Sequence, residues 1–525
     1  MFILTNFKKK LIIIFLILII TLLGGIIRSY KLEQVPAGFF CDEAAIGYNA
    51  YKLLTTGKDE YGKIFPFFFR SFGDYRLPIP IYSNIPFIKI FGLNEFSVRL
   101  TAAFFGTLTI PVVYFLVLEL FRRKTIAFFT SFFLAISPWH IHFSRFGSEY
   151  IYFSFWFSLG LLLFLVGLRK NKKIFLLSFL IFGISSYTYY PALFTVPIFI
   201  FFIVIIYNRE VRQQKIYAVL ALLLFLLAFV PFLLGAKNGT ILTRWNNVSP
   251  FKSNRSENLL QKMSNTYLAH FSYDFLFEKG DIDFPGHFIR RFSVKGVGEL
   301  YKFQLPLIIL GFFSFFYLKK KVKSFFIIII WFLLYPLGST LTGTDGGGPF
   351  AFRSIFGVIP FQITSALGIF LILKSINLNK KILKYSIFTV FIISFIFISA
   401  VSFKDYLSRY FMEYNLYSSD FWGWQYGPRE VMSYFLKNKD SYDKMLLMGN
   451  FNAPQIFLKF YDPENKCQSK CQIGGTNLYV PSEKQLFAID TSRISEIPSS
   501  LALDIKKTIY YPNNSPAFYI GTLTK

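Results

Sequence analysis

Long apolar runs alternate with short basic segments over most of the chain. Eleven runs can be counted, and several reach or exceed the ~18 residues that a helix needs to cross a bilayer. Their approximate bounds are 11–27, 95–121, 125–139, 149–168, 174–189, 191–207, 216–234, 303–318, 324–341, 354–373 and 385–403. The pattern predicts an all-α polytopic membrane bundle of about eleven transmembrane helices.

Clusters of Lys and Arg fall after every second run. They lie at 8–10, 122–124, 169–173, 209–215, 319–323 and 374–384. If the N-terminus is cytoplasmic, every cluster is cytoplasmic, as the positive-inside rule requires. No small-residue cleavage site follows the first run, so we expect an uncleaved span. The sequence thus predicts a multi-pass protein of the cell membrane whose outer loops are 28–94, 235–302 and 342–353.

The remaining polar stretch predicts a second, smaller domain outside the membrane. Residues 1–405 would form the transmembrane domain and residues 406–525 a small extracytoplasmic α/β domain. Within the latter, KMLLMGN and QLFAID are typical of short strands, and PREVMSYFL is typical of a helix. Cys467 and Cys471 would face an oxidising compartment, which favours a disulfide over a reduced pair.

Composition narrows the possible partners. The chain has 525 residues, 54% of them hydrophobic, with 70 Phe and a formal net charge of +27. In a soluble protein this charge would indicate nucleic acid, but here much of it lies in short loops, so no nucleic-acid partner is predicted. Membrane lipids or a phosphorylated substrate can use the remainder. The chain has no phosphate-loop or G-x-G-x-x-G motif.

The first outer loop holds the best candidate chemistry. Asp42 and Glu43 are adjacent acids on an apolar background, followed by GYNAYKLLTTG at 47–57, which predicts an amphipathic helix with Gly57 as its C-cap. Four prolines predict irregular pieces after it. Asp42 either N-caps a helix that starts at Glu43 or acts as a base near the membrane. Asp74 and Arg76 form either a surface ion pair or a sugar- and phosphate-binding element.

Several arginines lie at the outer ends of the runs or in the outer loops. Arginine suits bidentate phosphate contacts, although a single one can simply extend to lipid headgroups. Arg353 is the strongest candidate because the flexible GTDGGGPF segment precedes it. The set comprises Arg28, Arg99, Arg145, Arg290, Arg291 and Arg353. His140, His142 and Glu149 are too loosely spaced for a convincing metal site.

The first loop resembles the GT-C membrane glycosyltransferases, in particular the dolichyl-phosphate-mannose–protein mannosyltransferases and the lipid A aminoarabinose transferases. The shared pattern is Arg28 after the first span, Pro36, the Asp42-Glu43 pair and the amphipathic helix. GDYRLP, NEFSVRLTAAFFGTLTI and HFSYDFLFEKGD also fit, but Arg76 stands where Lys is more usual. WGWQYG at 422–427 resembles the WWDYG signature of oligosaccharyltransferases, with Gln425 in place of the acid.

The resemblance implies an inverting glycosyltransferase that uses a polyprenyl-phosphate sugar donor. Asp42 would be the general base and Glu43 its support. Substrate would contact Arg28, Asp74, Arg76, Arg99, Arg290, Arg291 and Arg353. The acceptor is a hydroxyl of a protein, a glycan or a lipid, and no metal or other cofactor is predicted because arginine can neutralise the phosphate. The alternative is a transporter or flippase of lipid-linked sugars, which would not need Asp42 as a base and predicts internal repeats.

Overall fold

The computed structural model describes residues 2–239, 259–342, 348–376 and 381–525, and these residues are mostly helical. The helices before residue 240 are α1 (Phe2–Ser29), α2 (Cys41–Thr56), α3 (Pro78–Phe91), α4 (Glu95–Phe121), α5 (Lys124–Ile136), α6 (Pro138–Phe143), α7 (Tyr150–Arg169), α8 (Lys172–Ser186), α9 (Ala192–Ile206), α10 (Asn208–Arg212) and α11 (Lys215–Lys237). Those after it are α12 (Leu259–Ala269), α13 (Gln304–Tyr317), α14 (Val322–Leu334), α15 (Leu337–Thr340), α16 (Val358–Ser375), α17 (Lys381–Ser408), α18 (Tyr414–Ser418), α19 (Pro428–Asn438) and α20 (Gln455–Tyr461).

Nine of the eleven predicted spans each fall on one helix, whereas 125–139 covers α5 and the start of α6, and 324–341 covers α14 and α15. Seven helical segments of the described residues are long and apolar enough to cross a membrane, and shorter apolar helices lie at Lys124–Ile136, Ala192–Ile206 and Gln304–Tyr317. A mostly helical membrane protein is therefore confirmed, while the count of eleven crossings stays a prediction. The longest segment, Ile382–Ser418, has 37 residues and joins α17 to α18 through a π-helical turn at Arg409–Glu413.

The first outer loop is more regular than its prolines predict. A two-stranded antiparallel hairpin, β1 (Phe69–Ser71) and β2 (Asp74–Arg76), leads into α3. Pro78 occupies the first turn of α3, where a missing N–H costs nothing, and the helix continues through Pro86. The prediction of irregular pieces after the amphipathic helix was wrong for 78–91. Gly57 ends α2 with φ 68°, as predicted for a C-cap.

The C-terminal region contains a five-stranded mixed sheet of order β4-β3-β5-β7-β6. Its strands are β3 (Lys444–Met448), β4 (Cys471–Ile473), β5 (Gln485–Asp490), β6 (Ala502–Tyr510) and β7 (Pro516–Thr524). β3 pairs in parallel with β4 and β5, and β7 pairs antiparallel with β5 and β6. Cys467 and Cys471 form a disulfide. The predicted domain boundary at 405/406 lies inside α17, so the division into two domains stays a prediction.

The C-terminal region packs against the first outer loop. Asn415 accepts a hydrogen bond from the Ala37 amide and donates one to the Gln34 carbonyl, both at 2.8 Å. Gly38 has φ 94°, and a Cβ there would lie 2.6 Å from the Trp424 carbonyl oxygen. Only glycine fits this position without strain. The loop that carries Asp42 is thus held between the membrane helices and the tail.

Candidate functional site

Asp42 lies in the first turn of α2 and forms an ion pair. Its Oδ1 is 2.5 Å from Nη2 of Arg76, and the side chains of Asp42 and Arg76 are 26% and 13% exposed. The residue at the N-cap position is Phe40, whose amide donates to Glu43 Oε2 at 3.2 Å. Asp42 is therefore not the cap of its helix. It is a partly accessible carboxylate placed beside a cation.

Glu43 points the opposite way, into the protein. It makes a bidentate pair with Arg99, with both distances at 3.0 Å, and accepts from the Gly147 amide at 2.7 Å. Arg99 also donates to the carbonyls of Leu32, Pro36 and Gly38. Both side chains are buried, so this pair fixes the first loop to α4. A role for Glu43 and Arg99 toward substrate stays a prediction.

Arg76 comes from the β1–β2 hairpin, which brings it to α2 from 34 residues away. Its Nε donates to Ser71 Oγ at 3.1 Å on the paired strand, which orients the guanidinium toward Asp42. Asp74 is two residues before Arg76 on the same strand, and its Oδ1 accepts from the Tyr75 amide at 2.7 Å. The hairpin is therefore the element that places a cation at Asp42.

Arg291 is a second cation near Asp42. Its guanidinium carbon lies 3.8 Å from the centroid of the Phe40 ring and 4.8 Å from that of Phe292. Burial lowers the pKa of Arg291, and the negative charge of Asp42 opposes this shift. The neighbouring Arg290 points elsewhere: it pairs with Asp420 at 2.9 Å and is 46% exposed. Of the two predicted arginines, Arg291 lies within electrostatic range of Asp42. We call Asp42, Arg76 and Arg291 the Asp42 cluster.

Arg353 reaches the same region through stacked aromatic rings. The rings of Phe292 and Phe352 are stacked with centroids 4.1 Å apart. The Arg291 guanidinium lies against the first ring and that of Arg353 lies 5.1 Å from the second. Arg353 also donates to the Thr342 carbonyl at 2.6 Å. Much of the glycine-rich segment before it, 343–347, lies outside the described residues.

A buried acid–histidine pair supports the chain segment before Arg353. Asp281 Oδ2 accepts from the Ala351 amide at 2.6 Å, and Asp281 Oδ1 is 3.1 Å from His287 Nδ1. The His287 ring stacks on Phe350 with centroids 4.5 Å apart. Burial works against a charged His287, but the hydrogen bond and the charge of Asp281 outweigh it and raise the pKa of His287.

Two predicted arginines are buried away from this cluster and bond to the backbone. Arg28 donates to the carbonyls of Gly24, Leu134 and Ala135, and contacts Nδ1 of His140 at 2.9 Å. These bonds tie α1 to α5 and α6. A substrate contact for Arg28 stays a prediction. Arg145 donates to the carbonyls of Ile27, Tyr30 and Val35, and so closes the end of α1.

His140 and His142, which the sequence pattern raised as possible metal ligands, make polar contacts within the protein. The Nε2 atom of His142 lies 2.7 Å from the Arg291 carbonyl oxygen, and burial lowers the pKa of His142 to about 4. No group of three or more His, Cys, Asp and Glu side chains that could hold a metal ion occurs in the described part of the chain.

Sequence reasoning missed the aromatic part of the site. Tyr150, at the start of α7, interacts electrostatically with both Asp42 and Arg291, and its ring packs on Phe352 at 5.1 Å. Phe40 and Phe292 hold the Arg291 guanidinium. In a chain with 70 Phe and 32 Tyr, these rings carry no local signal. Only the adjacency of Phe40 to Asp42 and of Phe292 to Arg291 could have pointed to them.

The site residues from the first loop lie in a segment that matches a protein-family model. Residues 18–241 match the family model of dolichyl-phosphate-mannose-protein mannosyltransferase. This range includes Asp42, Glu43, Asp74, Arg76 and Arg99. Curated protein sequences give no significant match.

Solved structures of two proteins resemble most of this chain. The archaeal oligosaccharyltransferase AglB from Archaeoglobus fulgidus, in complex with an inhibitory peptide and a dolichol-phosphate, matches with a TM-score of 0.54 and 13% identity, over 86% of this chain and 64% of AglB. ArnT from Cupriavidus metallidurans matches with 11% identity over 96% of this chain and 97% of ArnT. Its TM-scores are 0.50 when bound to undecaprenyl phosphate and 0.54 in the apo state.

The chain has a GT-C fold. The resemblance predicted from the first loop is thereby confirmed. This chain spans 64% of the length of the AglB chain that it matches, and 97% of the length of ArnT. At 11–13% identity these likenesses establish the fold, whereas the chemistry depends on the residues of the site.

Proposed function

We propose that this protein is an integral-membrane inverting glycosyltransferase that moves a sugar from a polyprenyl-phosphate donor to an acceptor hydroxyl. The observation that carries the proposal is the ion pair of Asp42 with Arg76, inside the segment that matches the mannosyltransferase model, with Arg291 also within electrostatic range of Asp42. A carboxylate can accept a proton, and guanidinium groups can hold a phosphate. One site thus has both groups that this transfer needs.

Asp42 acts as the general base. Its carboxylate takes the proton of the acceptor hydroxyl as the hydroxyl oxygen bonds to the anomeric carbon of the sugar. The bond between that carbon and the phosphate oxygen breaks, and the electron pair leaves with the polyprenyl phosphate. A single displacement from the opposite face inverts the anomeric configuration.

The arginines stabilise the negative charge that develops on the leaving phosphate. Arg76 makes its ion pair with Asp42 in this structure, so it can transfer a hydrogen bond from Asp42 to the phosphate as the donor binds, and this frees the base. Arg291 lies against the rings of Phe40 and Phe292, and these contacts limit the entropy lost on binding. Arg353 adds a further cation, and Asp74, on the same strand as Arg76, positions a sugar hydroxyl.

The proposal includes an orientation in the membrane. The N-terminus is cytoplasmic, eleven helices cross the bilayer, and the C-terminal region with the first loop lies outside. This arrangement puts Asp42 on the side where polyprenyl-linked sugars meet extracytoplasmic proteins, glycans and lipids. Accessibility of single cysteines introduced at Lys320 and Glu464 to a membrane-impermeant thiol reagent tests the orientation, because only the second is expected to react in intact cells.

The test of function uses the full chain in proteoliposomes with a panel of polyprenyl-phosphate hexoses and pentoses, and membrane extract as acceptor. Release of free polyprenyl phosphate measures transfer. Asp42→Asn is expected to lower the rate by about 10²–10⁴-fold, the range for loss of a general base. Asp440→Asn, on the exposed surface of the tail, is the matched control with unchanged rate.

Two outcomes would contradict the proposal. Full activity of Asp42→Asn would remove the base from the mechanism. Movement of the intact donor across the vesicle membrane, without release of polyprenyl phosphate from any donor, would favour the transporter or flippase.

A further inference from the structure

The end of the bundle opposite Asp42 is strongly basic. Because α4 begins at the first loop and runs through 27 residues, its last turn lies at the other end of the bundle. Four connecting segments meet that end: 119–124, 169–173, 207–215 and 318–323. They contain fourteen Lys and Arg residues against two acids, Glu119 and Glu210. We call these four segments the basic face.

Hydrogen bonds and ion pairs join the segments of the basic face into one surface. Ser324 Oγ donates to the Leu120 carbonyl at 2.8 Å, which joins α14 to the end of α4. Gln214 Nε2 donates to the Leu168 carbonyl at 3.1 Å, which joins the segment before α11 to the end of α7. Lys323 pairs with Glu210 at 2.5 Å. The cations are thus held near one another.

The acids of this face are already occupied. Glu119 Oε2 accepts from Arg122 at 2.6 Å and from Arg169 at 2.7 Å. In the part of the chain that the structure describes, Arg123 and Lys321 make no ion pair. Yet the Lys321 amine lies within electrostatic range of Arg123 and Arg169, with Glu119 as the nearby acid. Like charges held together raise the free energy of the fold unless an anion lies between them.

The positive-inside rule accounts for basic loops but not for their convergence. It counts charges near the ends of spans and is satisfied when each loop is separate. Here cations from two connections, 122–124 and 169–173, pair with the one carboxylate of Glu119, and Lys321 of a third lies within electrostatic range of it. The convergence therefore indicates a bound anion of the membrane surface.

Apolar side chains adjoin the basic face on its membrane side. Phe315, Phe316 and Tyr317 are exposed in the last turn of α13, directly before Lys319. Phe326 is exposed one turn into α14. A ligand with a phosphate at the level of the lysines and hydrocarbon below them fits both surfaces. Phospholipids with an anionic headgroup have this chemistry.

We propose that Arg123 and Lys321 bind the headgroup phosphate of an anionic phospholipid, with its acyl chains against the exposed end of α13. The lipid supplies the negative charge that the clustered cations lack. The lipid also connects the ends of α4, α7 and α14, three helices of the same bundle. This inference does not depend on the reaction at Asp42.

The test compares two double variants of the full-length protein that remove the same charge from the basic face. Arg123→Gln/Lys321→Gln removes the two side chains proposed to bind the headgroup phosphate. Lys319→Gln/Lys320→Gln removes two exposed cations of the basic face. Each protein is equilibrated in nanodiscs containing phosphatidylglycerol and phosphatidylcholine. Native mass spectrometry then counts the phosphatidylglycerol molecules that stay bound after the protein is released from the nanodisc.

We expect the wild type to retain phosphatidylglycerol in preference to phosphatidylcholine. The first variant should retain roughly tenfold less, because each lost cation weakens attraction to an anionic lipid severalfold, whereas the second should resemble the wild type. Equal losses in both variants would reduce the site to a diffuse charge effect, and equal retention of the two lipids by the wild type would overturn it.

A separate arm distinguishes the lipid from free phosphate. Displacement of the retained phosphatidylglycerol by excess inorganic phosphate would show a simple phosphate site and contradict the lipid proposal. If the double variant unfolds, Lys321→Gln alone is measured, since Lys321 is not part of the Glu119 cluster of ion pairs.

Discussion

Nη2 of Arg76 lies 2.5 Å from Oδ1 of Asp42, so the proposed base and a proposed phosphate ligand neutralise each other in this structure. A donor phosphate and Asp42 then compete for one guanidinium. Under the proposed function, a donor phosphate that took the Arg76 guanidinium would free the Asp42 carboxylate for the acceptor hydroxyl. Donor binding and release of the base would thereby be coupled through a single side chain.

Arg76→Lys tests this coupling. Lysine keeps the charge but cannot bond Ser71 and Asp42 through a planar fork, so we expect kcat to fall about 10–100-fold with a smaller change in KM. Steady-state kinetics of polyprenyl phosphate release measure both constants. Arg70→Lys, on the paired strand, is the control. A rise in KM with kcat unchanged would restrict Arg76 to ground-state binding of the donor.

Arg291 and Arg290 form a matched pair of adjacent arginines with different surroundings. Arg291→Gln is expected to weaken donor binding and lower kcat/KM about 10²-fold, because it removes a cation from the Asp42 cluster. Arg290→Gln removes only an exposed pair with Asp420, worth about 0–1 kcal/mol, and should leave kcat/KM near the wild-type value. The same kinetic assay compares them. Equal effects of the two substitutions would show that Arg291 acts through general charge.

Glu43→Gln leaves Arg99 buried without its carboxylate. Removing one partner of a buried pair costs about 3–5 kcal/mol, so we expect a marked fall in the unfolding temperature of the detergent-solubilised protein. Glu464→Gln, whose side chain is 62% exposed, should cost about 0–1 kcal/mol. Differential scanning fluorimetry with a thiol-reactive dye measures both. A fully stable Glu43→Gln protein would mean that the carbonyls around Arg99 hold the loop by themselves.

The pair of His287 and Asp281 predicts a pH dependence. The folded-state pKa of His287 is raised above its unfolded value of ~6.5. Its stabilisation is therefore fully present below pH ~6.5 and is lost as pH rises through the folded pKa. The difference in unfolding temperature between wild type and His287→Asn should shrink as pH rises above that range. A difference that is constant or grows with pH would contradict a charged His287.

The sequence predicted the helical bundle well because apolar runs and basic clusters determine spans almost independently of tertiary contacts. Asp42 was predicted to be a site residue because an acid at a membrane boundary is unusual. Its pairing with Arg76 was not predictable, since the hairpin at 69–76 has a short and weak strand pattern. The regular course of α3 through Pro86 also differs from the local rule for proline.

The arginines show where local patterns fail. Arg28, Arg99, Arg291 and Arg353 are alike in the sequence, at span ends or in outer loops. Two of them bond to buried carbonyls and two lie against the aromatic rings near Asp42. Which group an arginine joins depends on packing between segments more than a hundred residues apart, as for Arg28 with Leu134 and Ala135. Such choices carry no signature in a single sequence.

The helical segment Ile382–Ser418 is longer than a bilayer requires. Its 37 residues span about 55 Å at ~1.5 Å per residue, whereas the hydrocarbon core is about 30 Å thick. Asn415, near its end, bonds to the first loop at Ala37 and Gln34. The tail and the Asp42 loop are therefore linked at the end of this segment. A displacement of the segment in a thicker or thinner bilayer should move both together, so the contacts between them should persist in membranes of different composition.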